Sequence, residues 1–311
     1  MGTITVGPLR EDDLAVADHI MRLAFSTFLG LSEPFMGDAD CVRTRWAADP
    51  TAAFGAALDG ELVGSVFATN WGSVGFFGPL TVHPAHWNRG IGSRLMEPVL
   101  ELFDRWSLTH AGLFTFAHSG KHVGLYQKFD FWPRFLTAIM SKPTAVAIGG
   151  PLELYSAVAP DARGDCLDAC AAVTGAIYEG FDLAREIRAT DVQGLGDTVL
   201  VRDGSEVVAL AVCHTGPGTE AGSDTCYVKV GAAAPGPGAV ARFARLLDAC
   251  EALAAARGLA RMNAGVNLGR HRAYRALLDR GYRTTLQGVA MERANRSAYN
   301  RAGVYLIDDW R

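Results

Sequence analysis

No run of about 18 apolar residues occurs in the sequence, so no membrane-spanning helix is expected. No C-x-x-C pair occurs among the six scattered cysteines, Cys41, Cys166, Cys170, Cys213, Cys226 and Cys250. Neither a zinc site nor a thioredoxin-like centre is therefore indicated. Cys166 and Cys170 are spaced to share a helix face, but no second pair follows to complete a metal site, and small buried hydrophobes are the expected role. Basic excess is missing as well. At a net charge of −4 and a pI of about 6.1, the chain has no electrostatic footprint for nucleic acid. "MGTITVGPLR" lacks a basic region followed by an apolar core, so it does not read as a signal peptide. Val6 stands where a myristoylation signal needs Ser or Thr. These absences point to a cytoplasmic protein, monomer or homodimer, with no nucleic-acid and no membrane partner.

What is present suits a globular enzyme. The 311 residues allow two domains, and the 49% hydrophobic content allows two real cores. After a short strand at 3–9, Leu14, Ala17, Ile20, Met21, Ala24 and Phe28 recur at helical spacing. A shorter helix follows, ending before Pro50. Strands are then expected at about 52–58, 62–70 and 74–82, with Asp59-Gly60 as a hairpin turn. A helix over 92–106 carries an interior proline, Pro98, where a bend or a ragged first turn is expected. A buried strand "HAGLFTFAHS", a short helix "GKHVGLYQKFDF" and further strand in "WPRFLTAIMSKP" complete a first half with α+β layout.

Residues 143–160 hold Pro and Gly punctuation and read as the connection between domains. The second half repeats the plan, with a hairpin signal at Asp203-Gly204, a glycine-proline loop before a long helix, and the order strand, helix, strand at its end. Corresponding features recur after nearly the same number of residues, Gly92 with Gly238 and Phe131 with Tyr282, which implies an internal duplication.

One stretch organises the first half: "LTVHPAHWNRGIGSRLM", residues 80–96. It reads as strand, glycine-bearing loop and helix N-terminus, a junction whose free backbone N–H groups suit an anion such as phosphate. Two glycines alone make a tight turn as readily as a cradle. The residues around them add more, because "LTVHP", "NRGIG", "LFTFAHS" and "KHVGLYQKFDF" follow one another over about 50 residues.

In that order they resemble the GNAT superfamily of acyl-CoA-dependent N-acyltransferases, and the doubled plan resembles its tandem-repeat members. The resemblance implies a fold of two GNAT-like domains, 1–145 and 146–311, each a mixed, mainly antiparallel twisted sheet flanked by helices. It implies acetyl-CoA as co-substrate, no metal, and a small-molecule or peptide amine as acceptor. Backbone groups of Asn88, Arg89, Gly90, Ile91, Gly92 and Ser93 would cradle the pyrophosphate, with Leu80, Thr81 and Val82 beside the pantetheine. Trp87 replaces the family's usual Gln or Arg; it packs either on the cofactor or on the fold. Tyr126 matches the tyrosine that protonates the departing thiolate, with Asp130 in place of a glycine four residues on.

The base is open. "GFFGPLTV" contains no carboxylate, which leaves His118 and His83 as candidates, directly or through water. Glu33 and Asp38 are candidates for holding a cationic acceptor. In the second half, "GAAAPGPGA" places Pro235 and Pro237 where N–H donors are needed, and Leu277 stands at the interval of Tyr126. That half is expected to be degenerate, structural or acceptor-shaping, and the tail "VYLIDDWR" is a candidate to cross back to the first. The function expected is N-acetyl transfer from acetyl-CoA to a primary amine by direct attack. The alternative is a catalytically silent acyl-CoA-binding or partner-binding protein on the same fold.

Overall fold

A computed structural model describes residues 2–144 and 152–311. The expected boundary at 145/146 lies outside the described residues, as does part of the connection. The first half runs β1 (Ile4–Pro8), α1 (Leu14–Leu29), α2 (Val42–Ala48), β2 (Ala53–Leu58), β3 (Glu61–Trp71), β4 (Val74–Val82), α3 (Ile91–Arg105), β5 (His110–Thr115), α4 (Gly120–Gln127) and β6 (Phe131–Pro143). The second runs β7 (Glu153–Leu154), α5 (Arg163–Ile177), α6 (Ala184–Gln193), β8 (Gly196–Asp203), β9 (Glu206–Gly216), β10 (Gly222–Ala233), α7 (Ala239–Ala256), β11 (Arg261–Asn267), α8 (His271–Asp279), β12 (Arg283–Arg293) and β13 (Leu306–Ile307). The class is α+β, with a mixed, mainly antiparallel sheet flanked by helices.

Local chemistry sets most of these boundaries. Asp59 and Gly60 both take positive φ, 51° and 92°, the two-residue turn whose twist matches the flanking strands. In the second hairpin Asp203 still pairs with Glu206, so the turn is Gly204-Ser205, one residue later than the Asp-Gly signal suggests. Helix α3 is unbroken from Ile91 to Arg105, with Pro98 inside it.

Strand order is the main surprise. It reads β1-β2-β3-β4-β5-β12-β6-β11-β10-β9-β8-β7, with β13 on β10. The terminal strands of the two halves are exchanged. β12 pairs with β5, placing Met291 opposite Leu113 and Val289 opposite Thr115, and Val289 and Met291 fill the first half's core beneath α3. β6 pairs with β11, and its Ala138 and Met140 fill the second half's core beneath α7. The further strand expected after α4 is one continuous thirteen-residue strand, and its neighbour toward β5 comes from the other half. On the opposite face Trp71, Val74 and Phe76 of the first half share a core with Phe181, Leu183 and Ile187 of the second.

The tail does reach the first half. Trp310 is stacked on Phe76 and packs against His110, and a Cβ on Gly112 would fall 2.2 Å from its ring, so only glycine fits there.

Candidate functional site

β4 and β5 pair in parallel only from Val74 to Phe76, opposite His110 to Gly112. Beyond that point they part. The cause lies in β4, where the register with β3 shifts between Phe77 and Leu80, so that Gly78 and Pro79 form a bulge that turns the strand. Past the bulge, His83 N–H donates to Val63 O at 2.8 Å, which fixes the alternation. Backbone groups of Thr81 and His83 bond β3, and those of Leu80 and Val82 point into the opening. Thr81 is thus turned away, with its side chain buried.

The loop above the opening offers donors. Asn88 and Gly90 take φ of 64° and 79°, and Gly90 is the N-cap of α3. The first intrahelical bond is from Arg94 N–H to Gly90 O, which leaves the amides of Ile91, Gly92 and Ser93 without helical partners. Alternating left- and right-handed residues at a helix start make an anion nest. Ile91 anchors this turn in the core, while Asn88, Arg89 and Gly90 are exposed. Trp87 is tied to the fold: its Nε1 donates to Val82 O at 2.7 Å, and Lys121 Nζ lies 5.0 Å from its ring.

Helix α4 forms the opposite rim. Ser119 caps it, and Tyr126 is buried one face in, with its ring 5.6 Å from Phe77. Among the described residues its hydroxyl has no hydrogen-bond partner, and burial pushes its pKa well above 10, so it stays protonated at neutral pH. Asp130 adopts a φ of 65°, which lets it stand at a position glycine would favour.

His118 is exposed on the turn after β5 and stacks on Phe28 of α1 at 5.8 Å. His83 is occupied, its Nδ1 accepting the Ala85 N–H. A residue that sequence reasoning passed over, His122, lies between Phe28 at 4.7 Å and Phe116 at 6.5 Å. Its i, i+4 spacing from Tyr126 was the available signal. Asp38 does not face the opening. It accepts from Ser223 N–H and Oγ and ties the α1–α2 loop to the second half. Glu33 is exposed.

Beneath the bulge lies a buried ion cluster. Arg45 donates to Gly78 O and pairs with Glu220 at 2.7 Å. Lys229 bridges Glu220 at 2.8 Å and Glu186 at 2.7 Å, and Trp71 Nε1 donates to Glu186 at 3.0 Å. Burial opposes the charge on Glu220, yet Arg45 and Lys229 hold its carboxyl well below the usual range.

The corresponding opening in the second half is filled. β10 and β11 pair from Thr225 to Val228, β10 bulges at Lys229, and beyond it Gly231 and Ala232 pair with Ile307 and Leu306 of β13. Helix α7 also starts at a left-handed glycine, Gly238 with φ 86°, but Arg242 folds back onto the Ala234 and Pro235 carbonyls. Leu277 is buried in the apolar core.

Residues 18–131 match the model of the acetyltransferase (GNAT) family. No curated protein matches the chain. Among solved structures, it is similar to a Pyrococcus horikoshii protein classed as an acetyltransferase, with TM-score 0.67 and 15% identity over 97% of this chain and 93% of that one. A GCN5-related N-acetyltransferase from Sphaerobacter thermophilus gives TM-score 0.59 and 15% identity over 93% and 95%. One from Anabaena variabilis gives 0.53 and 13% over 96% and 74%. Residues 18–131 are therefore similar to the acetyltransferase (GNAT) family, and the chain as a whole shares the fold of these structures.

Proposed function

We propose that the chain is an acetyl-CoA-dependent N-acetyltransferase with one working cleft, the opening between β4 and β5, in a tandem arrangement whose second GNAT-like half, about 146–311, is degenerate. The observation that carries this reading is the contrast between two like openings: among the described residues no strand pairs with β4 on the β5 side beyond its bulge, while β13 pairs with β10 in the second.

The residues fit the co-substrate. The amides of Asn88 to Ser93 suit a pyrophosphate. Leu80 presents its N–H and C=O, and Val82 its N–H alone because Trp87 Nε1 holds its carbonyl, and along these groups pantetheine lies as an added strand. Amides pointing into the opening near Leu80 polarise the thioester carbonyl and hold the developing oxyanion. The acceptor is a primary amine of a small molecule or peptide. It attacks directly; the C–N bond forms, the C–S bond breaks, and the departing thiolate takes the proton of Tyr126, which burial keeps in the acid form.

Thiol release from acetyl-CoA, followed against a panel of primary amines, tests the reading. Tyr126→Phe is expected to lower kcat by about 10²-fold or more. Its melting temperature should stay close to wild type, because the hydroxyl has no protein partner to lose. Unchanged turnover in this variant would remove Tyr126 from the mechanism. Acetyl-CoA binding without thiol release for any amine would favour the silent binding protein.

A further inference from the structure

We propose that His122, one helical turn before Tyr126 on α4 and packed against Phe28 of α1, takes the proton from the acceptor amine. This rests on reading the β4–β5 opening as the transfer cleft. The i, i+4 spacing puts His122 and Tyr126 on one face of α4. The Tyr126 ring packs against Phe77 of β4, whereas His122 is held between Phe28 of α1 and Phe116 just after β5.

Nothing else claims the ring. Among the described residues neither nitrogen of His122 has a hydrogen-bond partner, unlike His83, whose Nδ1 is bonded. The groups facing it are few: Lys121 on its own helix and His118 from the turn before it carry charge or can titrate, and α1 and the end of β5 offer only Phe28 and Phe116. Burial, then Lys121 and His118, lower its pKa, which keeps the imidazole unprotonated and able to accept at neutral pH.

The proton balance closes. The ammonium form of the acceptor gives one proton to the His122 imidazole, and the freed lone pair attacks the thioester carbon. After thiolate departure has drawn the Tyr126 proton, the second amine proton restores the phenol, and His122 releases its proton to water.

Bromoacetyl-CoA is the probe. It places an electrophilic carbon where the acetyl methyl would lie; a neutral imidazole nitrogen nearby forms a C–N bond, bromide leaves, and the ring proton is lost. All six cysteines are buried, so thiols compete little. Trypsin cuts after Lys121 and Lys128, isolating residues 122–128 for mass spectrometry. The expected result is an adduct on His122, blocked by excess coenzyme A, absent in His122→Gln, and losing less of its rate from pH 8 to pH 6 than the alkylation of a free histidine peptide does. A smaller loss marks a ring whose pKa burial, Lys121 and His118 lower, and it is the adduct itself, protected by coenzyme A, that a ring held only for packing would not give. Labelling elsewhere, or none, on a protein that coenzyme A protects against heat overturns the role of His122 and leaves the cleft reading standing. No protection and no adduct overturns both.

Discussion

At the scale of single residues, burial decides which groups keep their ordinary chemistry. Glu292 on β12 has no exposure and one partner, Asn300 Nδ2 at 2.8 Å, and burial raises its pKa to about 7. A carboxyl whose folded value lies above its unfolded one stabilises the fold below about pH 4.5, and this contribution is lost as pH rises through 7. Glu292→Gln removes the titration. Its stability relative to wild type should therefore increase between pH 5 and pH 8 by about 2.5 kcal/mol, at ~1.36 kcal/mol per pKa unit. Urea midpoints at both pH values measure it; a flat difference would show that Glu292 is not held neutral by burial. His110 and His214, each lowered to about 4, act with the opposite sign between pH 6.5 and 4, but they are present in both proteins and cancel.

Elements show where sequence patterns stop informing. Periodicity says which face of a strand is buried, so Val289 and Met291, or Ala138 and Met140, are legible as core. It does not name the partner: an alternating strand satisfies its neighbours equally from either half, so the exchange of β6 and β12 left no mark in the sequence. The glycine loop, the β4 strand and the α4 helix were legible because each depends on local chemistry, namely a left-handed glycine, an apolar run and an amphipathic turn. The latch of Asp38 onto Ser223, the Arg45–Glu220 pair and His122 against Phe28 join residues distant in the chain, and spacing does not reveal them. The exchange gives a prediction of its own. Residues 1–145 produced alone lack β12, which leaves β5 and β6 without the strand between them and the core under α3 without Val289 and Met291. This fragment should show no cooperative thermal transition, and co-production with 146–311 should restore one. A fragment that melts cooperatively by itself would contradict the dependence.

For the whole molecule, the two openings differ in occupancy by the chain itself. β13 lies in one, Arg242 covers the loop carbonyls above it, and Pro235 and Pro237 supply no amide there. Calorimetric titration with acetyl-CoA should accordingly give one site per chain. Two sites would require β13 to leave the second opening and would end the proposed asymmetry. The Arg45–Glu220–Lys229–Glu186 cluster joins the halves directly beneath the β4 bulge. The second half thus supports the strand distortion at Gly78 and Pro79 of the first.

The exchanged strands also set an order of assembly on the ribosome. β6 is complete at Pro143, but its neighbour β12 ends at Arg293, so at 5–20 residues per second the first half waits about 8 to 30 s for the strand that closes its sheet. During that interval the facing edges of β5 and β6 are open templates for pairing with another chain. The cleft half is made first and finished last, so the nascent chain, more than the mature protein, is where this architecture is vulnerable to aggregation.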